Sequence, residues 1–230
     1  MNKRVLILTG SSEIIRHPEE TDNTMSEVFE LTLPSKQRYA KKHGYDLMTL
    51  RTFGTDKKYG FKDVDLGFLR AVRTFEMLEY YDIVMWIDAD SIITDDTYSI
   101  ETFQLDEYNT FYASYDWIGK WSFSTGNFII QRTQHTDAFL SVFYNSAKRF
   151  PTEQDALNAI HRGSSPNSVI KILEHNFLNS VPAQIMDTTC WTDRRNLYAP
   201  WNEKCFLAHL TGVSNNNRVK ILNNHFSKYL

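Results

Sequence analysis

Tyr81-Asp82-Ile83-Val84-Met85-Trp86-Ile87-Asp88-Ala89-Asp90-Ser91 is the stretch from which the fold of this chain is read. Residues 83–87 form an unbroken apolar run, rich in β-branched and aromatic types. That length and composition suit a strand buried on both faces. The run stops at two carboxylates, Asp88 and Asp90. In open α/β sheets ligands bind beyond the carboxyl ends of the strands. Residues two apart on an extended segment point the same way, so both carboxylates can face one cation. Left unpartnered they would repel and raise each other's pKa. A divalent ion such as Mg²⁺ or Mn²⁺ relieves that repulsion and can bridge to a substrate phosphate. The alternative is a solvated turn, the ordinary use of Asp-x-Asp and the expected use of Asp95 and Asp96.

The 230 residues fit one sizeable domain or two small ones, and a 42% hydrophobic content supplies a packed core. A net charge of -3 without a long basic run argues against a nucleic-acid partner. Cys190 and Cys205 can pair, but nothing in the pattern requires it, and buried reduced thiols are expected. No apolar stretch approaches the roughly 18 residues of a membrane span, and residues 5–8 are too short for a signal-peptide core. A soluble, cytoplasmic protein is expected, with any membrane association peripheral.

Outward from the central stretch, Val5-Leu6-Ile7-Leu8 reads as a first buried strand closed by the turn Thr9-Gly10-Ser11-Ser12. Such a turn can meet a nucleotide through N–H groups and hydroxyls, or be a plain strand exit. Residues 24–42 have a helical pattern, with Pro34 expected at a break or in a first turn. His43-Gly44 is a helix stop, and residues 45–50 a second strand. Residues 54–65 read as a loop. Residues 66–80 are helical, with Leu69, Val72, Phe75 and Leu78 on one face and Arg70 and Arg73 near its boundary, where a solvated charge is the ordinary reading. This strand–helix–strand–helix–strand order implies a parallel, doubly wound sheet.

A loop is expected after the Asp pair, then strands at 111–115 and 128–130, the latter entered through Ser124-Thr125-Gly126-Asn127. Residues 136–150 form an amphipathic helix with Phe139, Val142 and Phe143 inward. A further helix opens at Thr152, with Asp155 as the N3 carboxylate of a capping box. Residues 163–168 read as a loop, and residues 181–206 as irregular with short strands. His209 follows an apolar run, where it is a metal ligand or a satisfied core histidine. The tail after Gly212 is Asn-rich and then helical.

In this order the segments resemble the GT-A-fold glycosyltransferases. They are similar to the retaining families that hold the α-galactosyltransferase/xyloglucan xylosyltransferase group and the glycogenin-like group. The matching residues are Lys41-Lys42-His43-Gly44-Tyr45-Asp46-Leu47, the segment from Met85 to Asp95, Ser124-Thr125-Gly126-Asn127-Phe128-Ile129-Ile130, Glu153-Gln154-Asp155-Ala156-Leu157-Asn158 and His209-Leu210-Thr211-Gly212. The resemblance implies one α/β GT-A (Rossmann-like) domain over residues 1–230, with a central, mostly parallel sheet flanked by helices. A nucleotide-binding half would cover about residues 1–96 and a donor-sugar and acceptor half about residues 97–230.

The resemblance also implies roles. Asp88, Asp90 and His209 would hold a divalent metal, usually Mn²⁺ with Mg²⁺ as the alternative. Thr9, Gly10 and Ser11 would line the nucleotide pocket, with Ala89 in contact between the two Asp ligands. Arg70 would touch donor sugar or phosphate. Thr125, Gly126 and Asn127 would lie under the donor sugar. Gln154 would face the anomeric carbon, flanked by Glu153 and by Asp155, the alternative nucleophile. Gly212 would admit the diphosphate. Related families often place a Lys soon after His-x-x-Gly; here Arg218 is the first basic residue and would take its place, or backbone N–H groups would. A UDP-sugar donor and a glycan or glycoconjugate acceptor are implied, with Trp117, Trp121, Trp191 and Trp201 shaping the acceptor site. Many eukaryotic relatives carry an anchor and stem; their absence here fits a bacterial or viral enzyme. A non-catalytic sugar-nucleotide or glycan-binding protein would share the fold. A haloacid-dehalogenase-type phosphatase also uses Asp-x-Asp, but there the pair ends the first strand and is commonly followed by Gly-Thr, not Ser91-Ile92.

Overall fold

The central run is a strand buried on both faces in the computed structural model of the protein, which describes residues 3–11, 25–50, 66–116, 123–147, 149–164, 168–186 and 200–230. The strands among these residues are β1 Val5–Gly10, β2 Asp46–Leu50, β3 Ile83–Asp88, β4 Ser91–Ile93, β5 Phe111–Tyr115, β6 Phe123–Gln131, β7 Ile170–Leu173 and β8 Leu207–His209. The helices are α1 Met25–His43, α2 Leu66–Glu76, α3 Thr136–Ala147, α4 Glu153–Ser164, α5 His175–Leu178, α6 Ala183–Met186 and α7 Asn215–His225.

Six strands form one sheet in the order β2-β1-β3-β6-β5-β7. β1 is parallel to β2 and β3, and β5 is parallel to β7; β6 runs antiparallel to both its neighbours. The sheet is therefore mostly parallel with one reversed strand, and the strand–helix–strand–helix–strand half stands as expected. β3 shows why both faces had to be apolar. Val84 and Trp86 pack with Phe68, Val72, Phe75, Phe139, Phe143 and Leu157 of α2, α3 and α4. Ile83, Met85 and Ile87 pack on the other side with Tyr39 and Ala40 of α1 and with Phe103 and Phe206. Each such side chain contributes about 1.5–3 kcal/mol on burial. A third cluster joins Val28, Ile92, Ala208, Leu210, Leu222 and Phe226, and it carries the small antiparallel sheet β4-β8.

Several boundaries differ from the sequence reading. Pro34 lies inside an unbroken α1 rather than at a break. The helix continues because its inner face is fixed by tertiary contacts, including buried Thr32, Ser35 and Lys36, which outweigh one lost backbone hydrogen bond. The stop at Gly44 holds: its φ of 69° and the bonds from Gly44 N to Lys41 O and Tyr45 N to Ala40 O make a Schellman turn. The helix expected over 66–80 ends at Glu76 and continues as a 3-10 turn, Met77–Glu79. In α3, Phe139 and Phe143 are buried but Val142 is 49% exposed. The apolar stripe there runs through Leu140 and Tyr144, so Val142 falls off its edge. The segment after the Asp pair is β4, not loop, and β7 was not anticipated. In the stretch read as irregular with short strands, residues 183–186 form α6. Loop residues 54–65 lie outside the described residues.

Gly10 is required by packing. A Cβ there would sit 2.6 Å from the carbonyl oxygen of Leu50 on β2, and backbone cannot move aside cheaply. Gly10→Ala should lower stability by about 1–3 kcal/mol in chemical denaturation. Gly163→Ala, in open space on α4, should be neutral or raise it by up to about 1 kcal/mol.

Candidate active site

The chain leaves the large sheet at Asp88 and enters the small one at Ser91, with Ala89 and Asp90 in a turn between them. The two carboxylates are therefore brought together by a turn, not by the pleat of one extended segment. β4 pairs with β8 so that Ser91 stands opposite His209, and Leu210 N donates to Asp90 O at 3.0 Å. This ladder delivers a histidine from late in the chain to the two aspartates.

Asp88, Asp90 and His209 offer three ligand atoms within 4.8 Å of one another. His209 Nε2 lies 3.5 Å from Asp90 Oδ1 and 3.9 Å from Asp88 Oδ2. The other oxygen of each carboxylate is already engaged. Asp88 Oδ1 accepts from Trp86 Nε1 at 2.7 Å and Arg70 Nη1 at 2.5 Å. Asp90 Oδ2 meets Arg218 Nη2 at 3.0 Å. One free oxygen per carboxylate thus converges with one imidazole nitrogen. Two carboxylates and an imidazole are a donor set for a divalent cation. Gly126 forms the wall of this cradle: a Cβ there would lie 2.3 Å from His209 Cε1 and 3.1 Å from Asp88 Oδ2. The residues present fit a divalent cation.

Beneath the turn, three polar residues interrupt the apolar face of α1. Thr32 Oγ1 donates to Ala89 O at 2.6 Å, Ser35 Oγ accepts from Ile93 N at 3.1 Å, and Lys36 Nζ donates to Asp88 O at 2.8 Å. All three are buried and pin the backbone of the carboxylate-bearing segment. Burial pushes the Lys36 ammonium down to about 7, against the raising influence of Asp90 and Asp88. For Asp90 burial works against the charge, but Arg218, His209 and Lys36 outweigh it and hold the carboxyl below its ordinary range.

On the other side Arg70 bridges Asp88 to Glu153 through a short charge-assisted pair and reaches Thr125 Oγ1 at 3.4 Å. Burial opposes its charge as well; Asp88 and Glu153 reverse the balance and raise it. Arg70 is thus a partly buried bridge, not a solvated helix charge. Glu153 is 3% exposed and also accepts from Thr125 Oγ1 at 2.8 Å. Gly67 makes room for it, since a Cβ there would overlap its carboxylate. Gln154 Oε1 accepts from Thr125 N at 2.9 Å. Asp155 closes the expected cap on α4: its N–H donates to Thr152 Oγ1 at 3.1 Å, and its carboxylate accepts from that hydroxyl at 2.8 Å. Asn127 holds the wall by accepting from Asp88 N and donating to Leu178 O, each at 3.0 Å.

At the end of β1, Thr9 and Ser11 are buried, and their hydroxyls have no hydrogen-bond partner among the described residues. Thr9 is in register with Ile87, and Gly10 with Asp88, so these hydroxyls share the strand ends with the carboxylates. Gly212, exposed between β8 and α7, has φ 77°, and a Cβ there would meet nothing within 4 Å among the described residues. Arg218, on α7, also donates to Leu210 O at 2.9 Å and Asn215 Oδ1 at 2.8 Å. Asp95 is a turn residue as expected, accepting from Thr97 N at 2.9 Å. Trp201 packs on Phe226 and Tyr229, and Cys205 is a buried free thiol. Trp117, Trp121, Trp191, Cys190 and Ser12 lie outside the described residues.

The sequence reading missed Thr32, Ser35, Lys36, Trp86, Gly67 and Asn179. The available signal was the polar trio at i, i+3 and i+4 inside an otherwise apolar helix face.

The model of a family described as "Protein of unknown function, DUF273" matches residues 37–222. No curated protein matches. Among solved structures, a glycosyltransferase involved in the glycosylation of the major capsid of PBCV-1 is 14% identical, with a TM-score of 0.66 over 96% of this chain and 98% of that one. The glycosyltransferase GlyE of Streptococcus pneumoniae TIGR4 is 16% identical, with a TM-score of 0.55 over 98% of this chain and 64% of that one. The galactosyltransferase LgtC, solved with donor and acceptor sugar analogs, is 12% identical, with a TM-score of 0.53 over 98% of this chain and all of that one. The chain has the GT-A fold of these proteins.

Two tests address the geometry. Gly126→Ala should lower stability, because the clash is with a buried, hydrogen-bonded imidazole, and by displacing His209 should abolish Mn²⁺ binding in calorimetry. In chelator-treated protein, wild type should gain stability over Lys36→Met as pH rises from about 7 to 9. A folded lysine lowered to about 7 releases its proton there, while an unfolded one keeps it to roughly 10.4, giving a slope of up to ~1.4 kcal/mol per pH unit.

Proposed function

The chain belongs to the DUF273 family, and we propose that it is a metal-dependent glycosyltransferase that moves a sugar from a UDP-sugar to a glycan or glycoconjugate hydroxyl with retention of configuration. The observation that carries this reading is the convergence of Asp88, Asp90 and His209 at the end of β3, next to the end of β1, where the buried hydroxyls of Thr9 and Ser11 have no partner among the described residues. Strand ends are where such sheets bind ligands, and buried hydroxyls without partners ask for a polar ligand.

Asp88, Asp90 and His209 would hold Mn²⁺, or Mg²⁺, and the ion would supply Lewis-acid stabilisation of charge growing on a departing diphosphate. Thr9 and Ser11 would meet the nucleotide, with Gly10 keeping the strand end close to β2. Ala89, in the turn, would lie against the same ligand. The open space at Gly212 would admit the diphosphate, with Arg218 beside it. Arg70 is held by two carboxylates and supplies a fixed positive group at the donor. Sugar transfer passes through an oxocarbenium-like state. The Thr125–Gly126 backbone would lie under the donor sugar, and Asn127 holds it to β3. Gln154, oriented by the Thr125 N–H, would face the anomeric carbon, and Glu153 keeps Arg70 in place. Asp155 is the alternative nucleophile; its carboxylate would have to leave Thr152.

A panel of nucleotide sugars with Mn²⁺, then with chelator, tests the reading through release of free nucleotide. Chelator-sensitive release from one donor is expected. Asp88→Asn and Asp90→Asn should abolish it without unfolding the protein. Gln154→Ala should lower kcat by roughly 10²–10³-fold, the size of one lost preorganised polar group, with less effect on donor affinity. Mn²⁺-dependent nucleotide binding without release, even with glycan acceptors present, would identify a binding protein, and an inverted product would overturn retention.

A further inference from the structure

His209 has a second nitrogen, and its partner sets what the first can do. Nδ1 lies 2.9 Å from Asn179 Oδ1, and both residues are only 2% exposed. An imidazole nitrogen can donate or accept, and an amide can be turned over, so one contact alone leaves the direction open. The other end of Asn179 closes the question. Asn179 Nδ2 donates to the carbonyl oxygen of Tyr115 at 2.9 Å. A carbonyl only accepts, so the atom facing Tyr115 must be the amide nitrogen. Turning the amide over would set two oxygens against each other in a buried position, a cost of about 1–3 kcal/mol for the unsatisfied groups. Oδ1 therefore faces His209, and Nδ1 must carry the proton. Neutral His209 then presents a bare lone pair at Nε2. Nε2 lies 3.5 Å from Asp90 Oδ1 and 3.9 Å from Asp88 Oδ2, on the side of the ring away from Asn179.

From this relay we infer that Asn179 is a positioning residue that fixes the tautomer and ring orientation of His209, so that Nε2 is ready to ligate a cation before one arrives. Tyr115 O is the anchor of the relay and β5 its support. His209 N donates to Ser180 O at 2.8 Å, so the main chain beside Asn179 also holds the main chain of the histidine. The ring is then bounded by Asn179 at Nδ1 and by Gly126 at Cε1. Outer-shell partners of this kind are worth 10–100-fold in metal affinity. The inference rests on the reading of His209 as a metal ligand, but its tautomer half can be tested without metal.

The test is long-range ¹H–¹⁵N correlation spectroscopy of the imidazoles in the full-length, chelator-treated protein at mildly alkaline pH. His209 is assigned by its loss in His209→Gln. The wild-type ring should be protonated at Nδ1. Asn179→Leu should lose that preference and bind Mn²⁺ 10–100-fold more weakly in titration calorimetry. Asn179→Asp keeps an oxygen opposite Nδ1 but sets its other oxygen against Tyr115 O, so it should keep the tautomer, lose stability, and bind Mn²⁺ more tightly than the leucine variant. A wild-type ring protonated at Nε2 overturns the inference. So does an Asn179→Leu protein with unchanged tautomer and Mn²⁺ affinity. Failure of wild type to bind Mn²⁺, with Nδ1 protonated, would instead overturn the metal reading.

Discussion

Withdrawing charge from solvent is the constraint on which this structure turns. Asp88, Asp90 and Glu153 meet Arg70, Arg218 and Lys36 within one region at the end of β3. An isolated buried ion costs several kcal/mol, and removing one partner of a buried pair leaves the other uncompensated. The arrangement answers with division of labour inside each aspartate. One oxygen is held by a cation, and the other is turned toward His209. The protein can therefore fold with the site formed, and the cradle does not have to be built by the ion it would hold. Glu153 has no share in the triad; it secures Arg70, and through Arg70 it orients Asp88.

The two sheets have different tasks at this point. The large sheet gives Asp88 a rigid platform, because β3 is clamped between two apolar layers. The small sheet β4-β8 supplies His209 and, through α7 behind it, Arg218. α1 ties the two together with hydrogen bonds from Thr32, Ser35 and Lys36 to the segment that crosses between them. Fold likeness at 12–16% identity establishes the scaffold; function has to be argued from this junction.

Much of the scaffold was legible because it follows from local rules. A five-residue apolar run that ends at carboxylates suits a strand covered twice, a glycine after a basic helix end suits a stop, and Thr152 accepts from Asp155 N as its spacing announces. The Asp pair and His209 were legible as chemistry at strand ends. What stayed hidden depends on partners far away in sequence. Pro34 is tolerated because contacts from β3 and β4 hold its helix, which no local propensity records. β4 is three residues long and exists through its pairing with β8. Lys36 reads as a solvated helix residue until the turn above it is known, and Asn179 reads as a loop residue until His209 arrives beside it.

The pairing of β4 with β8 also has a consequence for the order in which the molecule is made. Asp88, Asp90, Arg70 and Lys36 are all in place once the first half of the chain exists, whereas His209 and Arg218 come from its last strand and helix. Closing a loop that long is entropically costly and slow compared with forming helices. A growing polypeptide would thus carry an acidic turn long before it could ligate anything there. If the triad holds a cation, competence to take it up is acquired only when the segment carrying β8 and α7 docks.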